Sequence, residues 1–222
     1  VTIPSISKTG YTCSWNTSAD GKGTTYNGGD VTDKLNTQTL YAVCAANTYT
    51  VTYNSNGGSG TMTNDTATYN SNYITKKNTF IKTGYTFNGW NEKADGTGTV
   101  WGLTTSGVYE SGKSWKWTYT KNITLYAQWK ANTNTKYVVK HYKQKLDGTY
   151  PSEADDTDEL TGTTDSSMSP AVKSYAGFTS PSVQTVTIAA DGSTVVTYKY
   201  TRNKYTYTLE SATGVSTTGS TA

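Results

Sequence analysis

The residues that could carry chemistry are few in this sequence, and they do not form a catalytic set. The single histidine, His141, lies in a strand-like segment on the same face as Tyr137 and Val139. A catalytic triad or a zinc site needs further partners, and neither cysteine has a second cysteine or a histidine at zinc spacing. The glycines sit in turns and form no phosphate-binding loop. We therefore expect His141 to be a half-buried structural residue, and we expect no catalytic residue, metal or cofactor.

An acidic segment between Glu153 and Glu159 could attract a metal ion. Calcium is bound by several carboxylate oxygens, so Asp155, Asp156 and Asp158 are weak candidate ligands. The segment lacks the alternating acidic ligands and the fixed glycine of a calcium-binding loop. A solvated polar loop is therefore the favoured interpretation, with weak calcium binding as the alternative.

Four aromatic residues are the candidates for ligand binding: Trp101, Trp115, Trp117 and Tyr119. The last three alternate along one predicted strand and would share a face. Flat aromatic side chains can stack on sugars or anchor a protein partner. They can equally cover an enlarged hydrophobic core, which is the interpretation that we favour. An exposed tryptophan face that binds glycans or mucin is the alternative.

A repeated pattern positions these residues, in which a glycine turn leads into an aromatic strand and a second apolar strand closes the unit. Repeats of this kind decide the fold class before other features do. The fuller copy has gained Gly89 and a longer insertion after Trp101. The fuller copy consists of Lys82–Asn91 and Leu125–Trp129, and the altered copy of Lys8–Asn16 and Leu40–Cys44.

Superposing the two copies places both cysteines on aromatic positions. Cys13 falls on Phe87 and Cys44 falls on Trp129, and the two aromatics are expected to meet on the core side of paired strands. We therefore predict a Cys13–Cys44 disulfide in place of an aromatic contact. Closing such a loop stabilises a fold by roughly 3–4 kcal/mol through the lost entropy of the unfolded chain. Two reduced, buried thiols are the alternative.

Composition favours a folded β protein and excludes two classes of partner. Charged residues make up 16% of the chain and hydrophobic residues 33%, while Thr, Tyr, Asn and Gly are abundant, which indicates thin sheets with small cores. Disordered segments lack aromatics, whereas 13% of these residues are aromatic. The net charge of +3 is small and scattered, so nucleic acid is not an expected partner. No apolar run approaches the roughly 20 residues that membrane insertion needs.

By pattern the chain divides into four segments. They are a partial module (1–47), a complete module (48–134), a different β module (135–203), and the start of a further repeat or a tail (204–222). Alternating segments joined by Asn-Gly or Asp-Gly turns predict hairpins throughout. We expect a mainly β, elongated array of small tandem modules, with at most one short helix around Ser71–Lys77. Short linkers near Asn47 and Asn132–Thr135 are expected to allow bending.

Two resemblances to known families follow from these motifs. Val51–Gly58, Lys82–Trp90 and Leu125–Trp129 resemble, in order, the three blocks of the Listeria–Bacteroides repeat, also called the internalin B-repeat. Residues 1–47 resemble the last two blocks only, with cysteine in place of two aromatics. Residues 135–203 are similar to mucin-binding-protein-like repeats of Gram-positive surface proteins. That second resemblance rests on Tyr142, Leu146-Asp147-Gly148, Tyr175-Ala176-Gly177-Phe178 and Asp191-Gly192-Ser193.

The resemblances imply small β-grasp-like modules of long extracellular bacterial proteins, with stalk or adhesion roles and no catalytic residues. We therefore expect a monomeric, non-enzymatic stalk and adhesion region at the bacterial cell surface or in a secreted protein. Host or cell-wall glycans and mucin-type glycoproteins are the expected partners. A glycan- or mucin-binding module is one alternative, and an accessory region of a larger extracellular enzyme is another.

Overall fold

The structure, a computed structural model, describes residues 1–35, 38–102, 113–208 and 213. These residues form sixteen β-strands and no helix, so the predicted mainly β class is confirmed. No helix forms around Ser71–Lys77, where we expected at most one short helix, and the reason is local. Tyr73 is buried between two exposed neighbours, and this alternation makes Asn72–Ile74 a strand. The chain forms two compact units, Val1–Asn132 and Thr133–Ala222.

The first unit begins with a three-stranded antiparallel sheet formed by residues 1–47, which we call the half-module. Its strands are β1 (Tyr11–Asn16), β2 (Thr25–Tyr26) and β3 (Tyr41–Ala46), in the order β2-β1-β3. Ile3 is its one buried apolar side chain among the residues described. Because a sheet with so little core is marginal in water, other interactions must hold it together.

The rest of the first unit, residues 48–132, is a mixed sheet that we call the complete module. The strand order is β5-β4-β10-β7-β8, with a separate β6-β9 pair. The central strands β4 and β10 are parallel, and all other pairs are antiparallel. The strands are β4 (Thr48–Asn54), β5 (Asp65–Thr68), β6 (Asn72–Ile74), β7 (Tyr85–Asn91), β8 (Val100–Trp101), β9 (Ser114–Lys116) and β10 (Ile123–Ala131).

The core of the complete module is built around Trp90, whose side chain is fully buried. Its ring centroid lies 4.8 Å from that of Tyr53, 4.9 Å from that of Phe87 and 6.1 Å from that of Phe80, all in edge-on geometry. Edge-to-face aromatic pairs contribute about 0.5–1.5 kcal/mol beyond the area that they bury. Aromatic rings thus make up much of this core, alongside Val51, Ile123 and Leu125.

The extra glycine of the complete module is a β-bulge. Ala127 pairs with Trp90 and Trp129 pairs with Phe87, so two residues of β7 lie opposite one residue of β10. Gly89 has φ of 109°, a backbone conformation that glycine adopts readily and other residues rarely adopt. The half-module has no such residue, and its β1–β3 register runs without interruption.

In both parts of the first unit, a buried asparagine at the end of the aromatic strand (β1 or β7) forms hydrogen bonds to the loop that follows it. Asn16 Nδ2 donates to the carbonyls of Gly21 (3.1 Å) and Gly23 (3.2 Å), while its Oδ1 accepts from the amides of Ser18 and Gly23 at 2.9 Å each. Satisfied buried polar groups of this kind specify one loop conformation. Asn91 makes the same four bonds in the complete module, to Gly96, Gly98 and Lys93.

The second unit has the strand order of the complete module, although the sequence patterns of the two differ. Its sheet runs β12-β11-β16-β14 with β11 and β16 parallel, and β13 pairs separately with β15. The core contains Tyr137, Val139, Val196, Tyr198 and Tyr200. The strands are β11 (Thr135–Lys143), β12 (Asp156–Gly162), β13 (Ser167–Met168), β14 (Phe178–Thr179), β15 (Val186–Thr187) and β16 (Val195–Arg202).

Candidate functional site

The four candidate aromatic residues form a cluster centred on Trp101. The Trp101 ring centroid lies 5.6 Å from that of Trp115 and 5.8 Å from those of Trp117 and Tyr119. Trp101 and Trp117 belong to the hydrophobic core, with 3% and 0% of their surface exposed, while Trp115 and Tyr119 are half-buried against it. Trp101 and Trp117 are therefore core residues, and neither lies on an exposed face.

Polar atoms of the aromatic cluster are held mainly by Glu92. Its Oε1 accepts from Tyr119 Oη at 2.6 Å and from Trp101 Nε1 at 3.0 Å, while Trp117 Nε1 donates to the Tyr119 carbonyl at 2.9 Å. Burial, together with the Glu92 carboxylate, raises the pKa of the Tyr119 hydroxyl. The predicted single strand face is not formed, because the strand ends at Lys116 and only Trp115 lies on it.

The half-module and the complete module make contact around one glycine, Gly10. A Cβ atom on Gly10 would overlap the ring of Tyr69, which therefore packs directly on the backbone. The rings of Tyr11 and Tyr69 lie edge to face with centroids 5.5 Å apart. The Tyr69 amide donates to the Asn47 carbonyl at 2.9 Å. We call these four residues the module junction.

Asn47 also closes its own half-module through an interaction that we call the Asn clasp. Its amide donates to the Gly10 carbonyl at 2.9 Å, and its Oδ1 accepts from Thr12 Oγ1 at 2.6 Å. It is the one residue between β3 and β4, at the position where we expected a bending linker, and it is hydrogen-bonded to the half-module at its amide and side chain and to Tyr69 at its carbonyl. The same two bonds recur in Asn132 with Gly84 and Thr86 (2.9 and 2.7 Å) and in Asn203 with Gly177 and Thr179 (2.9 and 2.7 Å).

The structure joins Cys13 and Cys44 in a disulfide, the pairing that the superposition of the two copies predicts. The two cysteines are direct partners in the β1–β3 register, as Phe87 and Trp129 are in the β7–β10 register. The two aromatic rings lie 5.8 Å apart. A covalent bond in the half-module therefore replaces a ring contact in the complete module.

The acidic segment is an exposed loop at its start, as we expected for all of it, but from Asp156 onward it is a strand. Asp156 begins β12, and Asp156 and Asp158 project from the same face. Lys173 Nζ lies 2.8 Å from Asp156 Oδ2 and 2.6 Å from Asp158 Oδ1. Asp155 Oδ2 instead accepts from the Lys143 amide at 2.6 Å. Of the three calcium candidates, Asp156 and Asp158 thus share the Lys173 ammonium group, whereas the Asp155 carboxylate binds a backbone amide.

His141 is fully buried, more deeply than we expected, and lies in a continuous chain of hydrogen bonds. Its Nε2 lies 3.1 Å from Asp158 Oδ2, and its Nδ1 lies 2.8 Å from Tyr200 Oη. An ionised carboxylate only accepts, so the His141 ring donates to Asp158 from Nε2, while Nδ1 and the Tyr200 hydroxyl share the second hydrogen bond. The Tyr200 oxygen accepts in turn from the Lys173 amide at 3.0 Å. Neither the His141 ring nor the Tyr200 hydroxyl of this hydrogen-bond chain is exposed to solvent.

Electrostatics in this cluster favour the charged forms of the surface groups. The hydrogen bond from Lys173 lowers the pKa of Asp156 and of Asp158, with smaller contributions from Tyr175 and His141 respectively. The two carboxylates raise the pKa of Lys173 in return. Burial, followed by the Asp156 carboxylate, raises the pKa of Tyr175 to about 12. The cluster is therefore a closed ion-pair network that fastens β12 to the loop before β14.

Sequence reasoning missed the Asn clasp, the module junction and the Asn16/Asn91 bonds. A signal for the last was present, because Trp15-Asn16 and Trp90-Asn91 occupy matching positions ahead of the two Asp-Gly turns. No equivalent signal marks Tyr69 as the partner of Gly10. Among the described residues, no group of three or more metal-ligating side chains is present.

Comparison with known proteins identifies the central part of the chain. Residues 49–128 match the family described as the Listeria-Bacteroides repeat domain. A protein of Evansella cellulosilytica described as a Gly-rich membrane protein is 36% identical over an alignment of 137 residues, and the alignment covers 57% of this chain and 15% of the relative. The chain thus spans a small part of that relative. Within the described residues, no helix has the length and apolar character needed to cross a bilayer.

Proposed function

We propose that this chain, whose residues 49–128 are a Listeria–Bacteroides repeat domain, is a non-enzymatic stalk and adhesion region of a bacterial cell-surface or secreted protein. The observation that carries the proposal is the module junction, in which Tyr69 of one module packs on Gly10 of the module before it. Stability in such arrays is a sum of small modules and the contacts between neighbours. A stalk needs both terms, because each module alone has a small core.

The Asn clasp supports the same role. It occurs three times, at Asn47, Asn132 and Asn203, and each time it fixes the last strand of a module to its glycine turn. Force applied along the chain enters each module at this asparagine. A hydrogen-bonded closure at the point of loading is what a load-bearing repeat requires, whereas an enzyme accessory region does not need it.

Single-molecule stretching of the chain tests the stalk role. The complete module should unfold in one event that releases on the order of 280 Å of chain, at the 3.3–3.6 Å that each extended residue spans. The Cys13–Cys44 bond withholds the enclosed residues, so reduction should add on the order of 100 Å to the total extension. Extension without discrete force peaks would contradict a load-bearing role.

The adhesion role is tested separately, because a stalk can exist without it. We propose that adhesive contacts are made with host or cell-wall glycans or mucin-type glycoproteins, through exposed faces of the modules and not through the buried Trp101 and Trp117 rings. A saturable response on an array of such glycans and mucins is the expected result. A flat response across the array, with the stretching behaviour intact, would remove adhesion and leave the stalk.

A further inference from the structure

The sheet of the second unit packs its core on one face and leaves the other face open to solvent. Side chains alternate between the two faces of a strand, so the residues between the buried Tyr137, Val139 and His141 of β11 point away from the core. Alternate residues of β16, beginning at Val195, do the same. We call this surface the open face, and its members used below are Lys136, Val138, Lys140, Tyr142, Val195 and Lys199.

Three lysines give the open face a positive charge. Lys136 and Lys199 are exposed and Lys140 is half-buried. None of the three forms an ion pair with a carboxylate among the described residues. The neighbouring strand β12 adds one carboxylate to this face, that of Glu159, which lies opposite Val138. The lysines therefore outnumber the acidic group, and their ammonium groups are available to a ligand.

The fold does not require these lysines, because the complete module builds an equivalent sheet without them. In the complete module, Val51 of the first strand lies opposite Ile123 of the parallel last strand. In the second unit, Val139 lies opposite Val196 in the same way. This correspondence places Thr48, Thr52 and Tyr126 at the positions of Lys136, Lys140 and Lys199. Neutral residues thus satisfy the sheet at all three positions, so the lysines have a role other than forming it.

Between its lysines the open face is apolar and aromatic. Val138 lies directly opposite Val195, which is 53% exposed, and Tyr142 lies opposite Lys199. The Lys199 Nζ atom lies 5.1 Å from the centroid of the Tyr150 ring. The two lysines of β11 are four residues apart, which is roughly 13 Å along an extended strand. The open face therefore presents separated positive charges with apolar surface between them.

A ligand that complements this surface is an extended chain with spaced negative charges and apolar patches. A linear acidic polysaccharide has both features, because its carboxylates or sulfates are separated by sugar rings with apolar C–H faces. Carboxylates form charge-assisted hydrogen bonds with ammonium groups, and flat aromatic side chains can stack on sugars. A polymer of phosphate groups supplies the charge without the ring faces, so it matches only half of the surface.

We propose that the open face of the second unit binds a linear acidic polysaccharide. Its acidic groups pair with the three lysines, while its sugar rings lie over Val138, Val195 and Tyr142. The inference rests on the adhesion role proposed above, and it names the class of ligand and the surface that binds it. Because exposed charges are screened by salt, a single contact of this kind is weak and salt-sensitive, and it gains strength when several modules bind one polymer.

A fluorescent hyaluronan decasaccharide, which carries a carboxylate on every second sugar, is the probe. It is titrated with the full chain and followed by fluorescence anisotropy, with a neutral dextran oligosaccharide of the same length as the control. A saturable rise is expected for the acidic probe only, and salt should weaken the binding at least fivefold between about 0.05 and about 0.5 M. No rise at millimolar chain, or an equal rise with the neutral probe, would overturn the proposal.

Three substitutions taken from the complete module locate the binding surface. A variant with Lys136→Thr, Lys140→Thr and Lys199→Tyr carries on its open face the residues found at the matching positions of the complete module. The sheet should therefore form, and a urea midpoint of the second unit close to that of the parent chain, followed by circular dichroism, establishes that it does. Binding of the acidic probe should fall at least tenfold. Unchanged binding in this variant would overturn the proposal.

A control variant with the same loss of net charge separates the open face from bulk charge. Lys22→Thr, Lys77→Thr and Lys121→Thr together remove three exposed lysines of the first unit. Binding should stay within twofold of the parent chain. Replacing the three open-face lysines with arginine retains the charge and should keep binding within threefold. Equal loss in the first-unit variant and the open-face variant would show that only net charge matters and would overturn the assignment of the surface.

The glycan and mucin array separates this inference from the adhesion role. Acidic members of the array should bind the parent chain and should lose the open-face variant. Binding confined to neutral glycans would overturn the present inference and leave adhesion in place, whereas a flat response would remove both. A polyglycerol phosphate that binds as tightly as the hyaluronan probe would assign the open face to phosphate polymers and overturn its assignment to a polysaccharide.

Discussion

Tyr69 occupies the space in which any side chain at position 10 would begin, so Gly10 is required by its neighbour as well as by its own backbone. The backbone requirement is φ of 77°, and the equivalent glycine of the second unit, Gly177, has φ of 82°. A Cβ on Gly177, however, would have nothing within 4 Å. The two glycines therefore separate the cost of the conformation from the cost of the contact.

Gly10→Ala is expected to open the module junction. The left-handed conformation costs an alanine roughly 1–2 kcal/mol, and overlap with a packed ring adds roughly 1–3 kcal/mol. Hydrogen exchange at the Tyr69 amide, which is bonded to the Asn47 carbonyl, should become faster. Gly177→Ala carries only the first cost, so the Asn203 amide should remain comparatively protected. Equal loss of stability in the two variants would show that Tyr69 contributes nothing at Gly10.

Removing the disulfide is expected to unfold the half-module selectively. The bond closes a loop with a sequence separation of 31, and its loss should cost roughly 3–4 kcal/mol in a sheet whose described residues bury one apolar side chain. In a Cys13→Ser/Cys44→Ser variant, NMR signals of β1 and β3 should collapse while those of the complete module persist. The Cys13→Phe/Cys44→Trp variant restores the aromatic pair and should recover part of the loss. Simultaneous loss of all signals of the first unit would refute selectivity.

Trp101→Ala is expected to destabilise the complete module by about 3–5 kcal/mol, the usual cost of deleting a buried tryptophan. Trp115→Ala should cost less, because that ring is half-buried. Urea unfolding followed by tryptophan fluorescence is suitable, since all six tryptophans lie in the first unit. If these residues served a ligand instead of the core, Trp101→Ala would leave the urea midpoint unchanged.

Lys173→Met is expected to weaken the second unit at neutral pH and to make its stability less sensitive to acid. Lys173 depresses the folded-state pKa of Asp156 and Asp158. Such carboxylates stabilise the fold above their unfolded pKa of about 3.9, and this stability is lost as pH falls through the lower folded value. The difference between the parent chain and the variant should therefore shrink below about pH 4.

Urea unfolding of the second unit by circular dichroism at several pH values measures this difference. Lys136→Met is the matched control, because Lys136 is exposed on the neighbouring strand and forms no ion pair among the described residues. A gap between the Lys173 variant and the parent chain that is constant down to pH 2 would contradict the ion-pair explanation.

The part of the fold that could be predicted is the part that repeats with aligned residues. Cys13 and Cys44 could be paired because they align with Phe87 and Trp129, which are expected to face each other on the equivalent strands of the second copy. The Asn clasp could not be found in this way, because the glycine and its asparagine are separated by 37, 48 and 26 residues in the three cases. Backbone geometry, which no spacing in the sequence records, brings them together.

The acidic strand β12 was missed because its residues contradict their own local preference. Asp and Glu are depleted in strands, so Asp156, Asp158 and Glu159 favour a loop when they are judged locally. The compensating group is Lys173, which is remote in sequence and reaches two of the carboxylates. Long-range neutralisation of this kind is invisible to propensity and periodicity alone.

The Asn clasp has a consequence for how such proteins change length during evolution. Every bond of a clasp is made inside its own module, and at Asn47 a new strand begins at the very next residue. A genetic crossover directly after the asparagine codon therefore adds or deletes a whole folding unit and leaves both flanking units closed. Duplication can lengthen the protein in this way. The added module then needs an aromatic side chain that packs on the turn glycine of the module before it, as Tyr69 packs on Gly10.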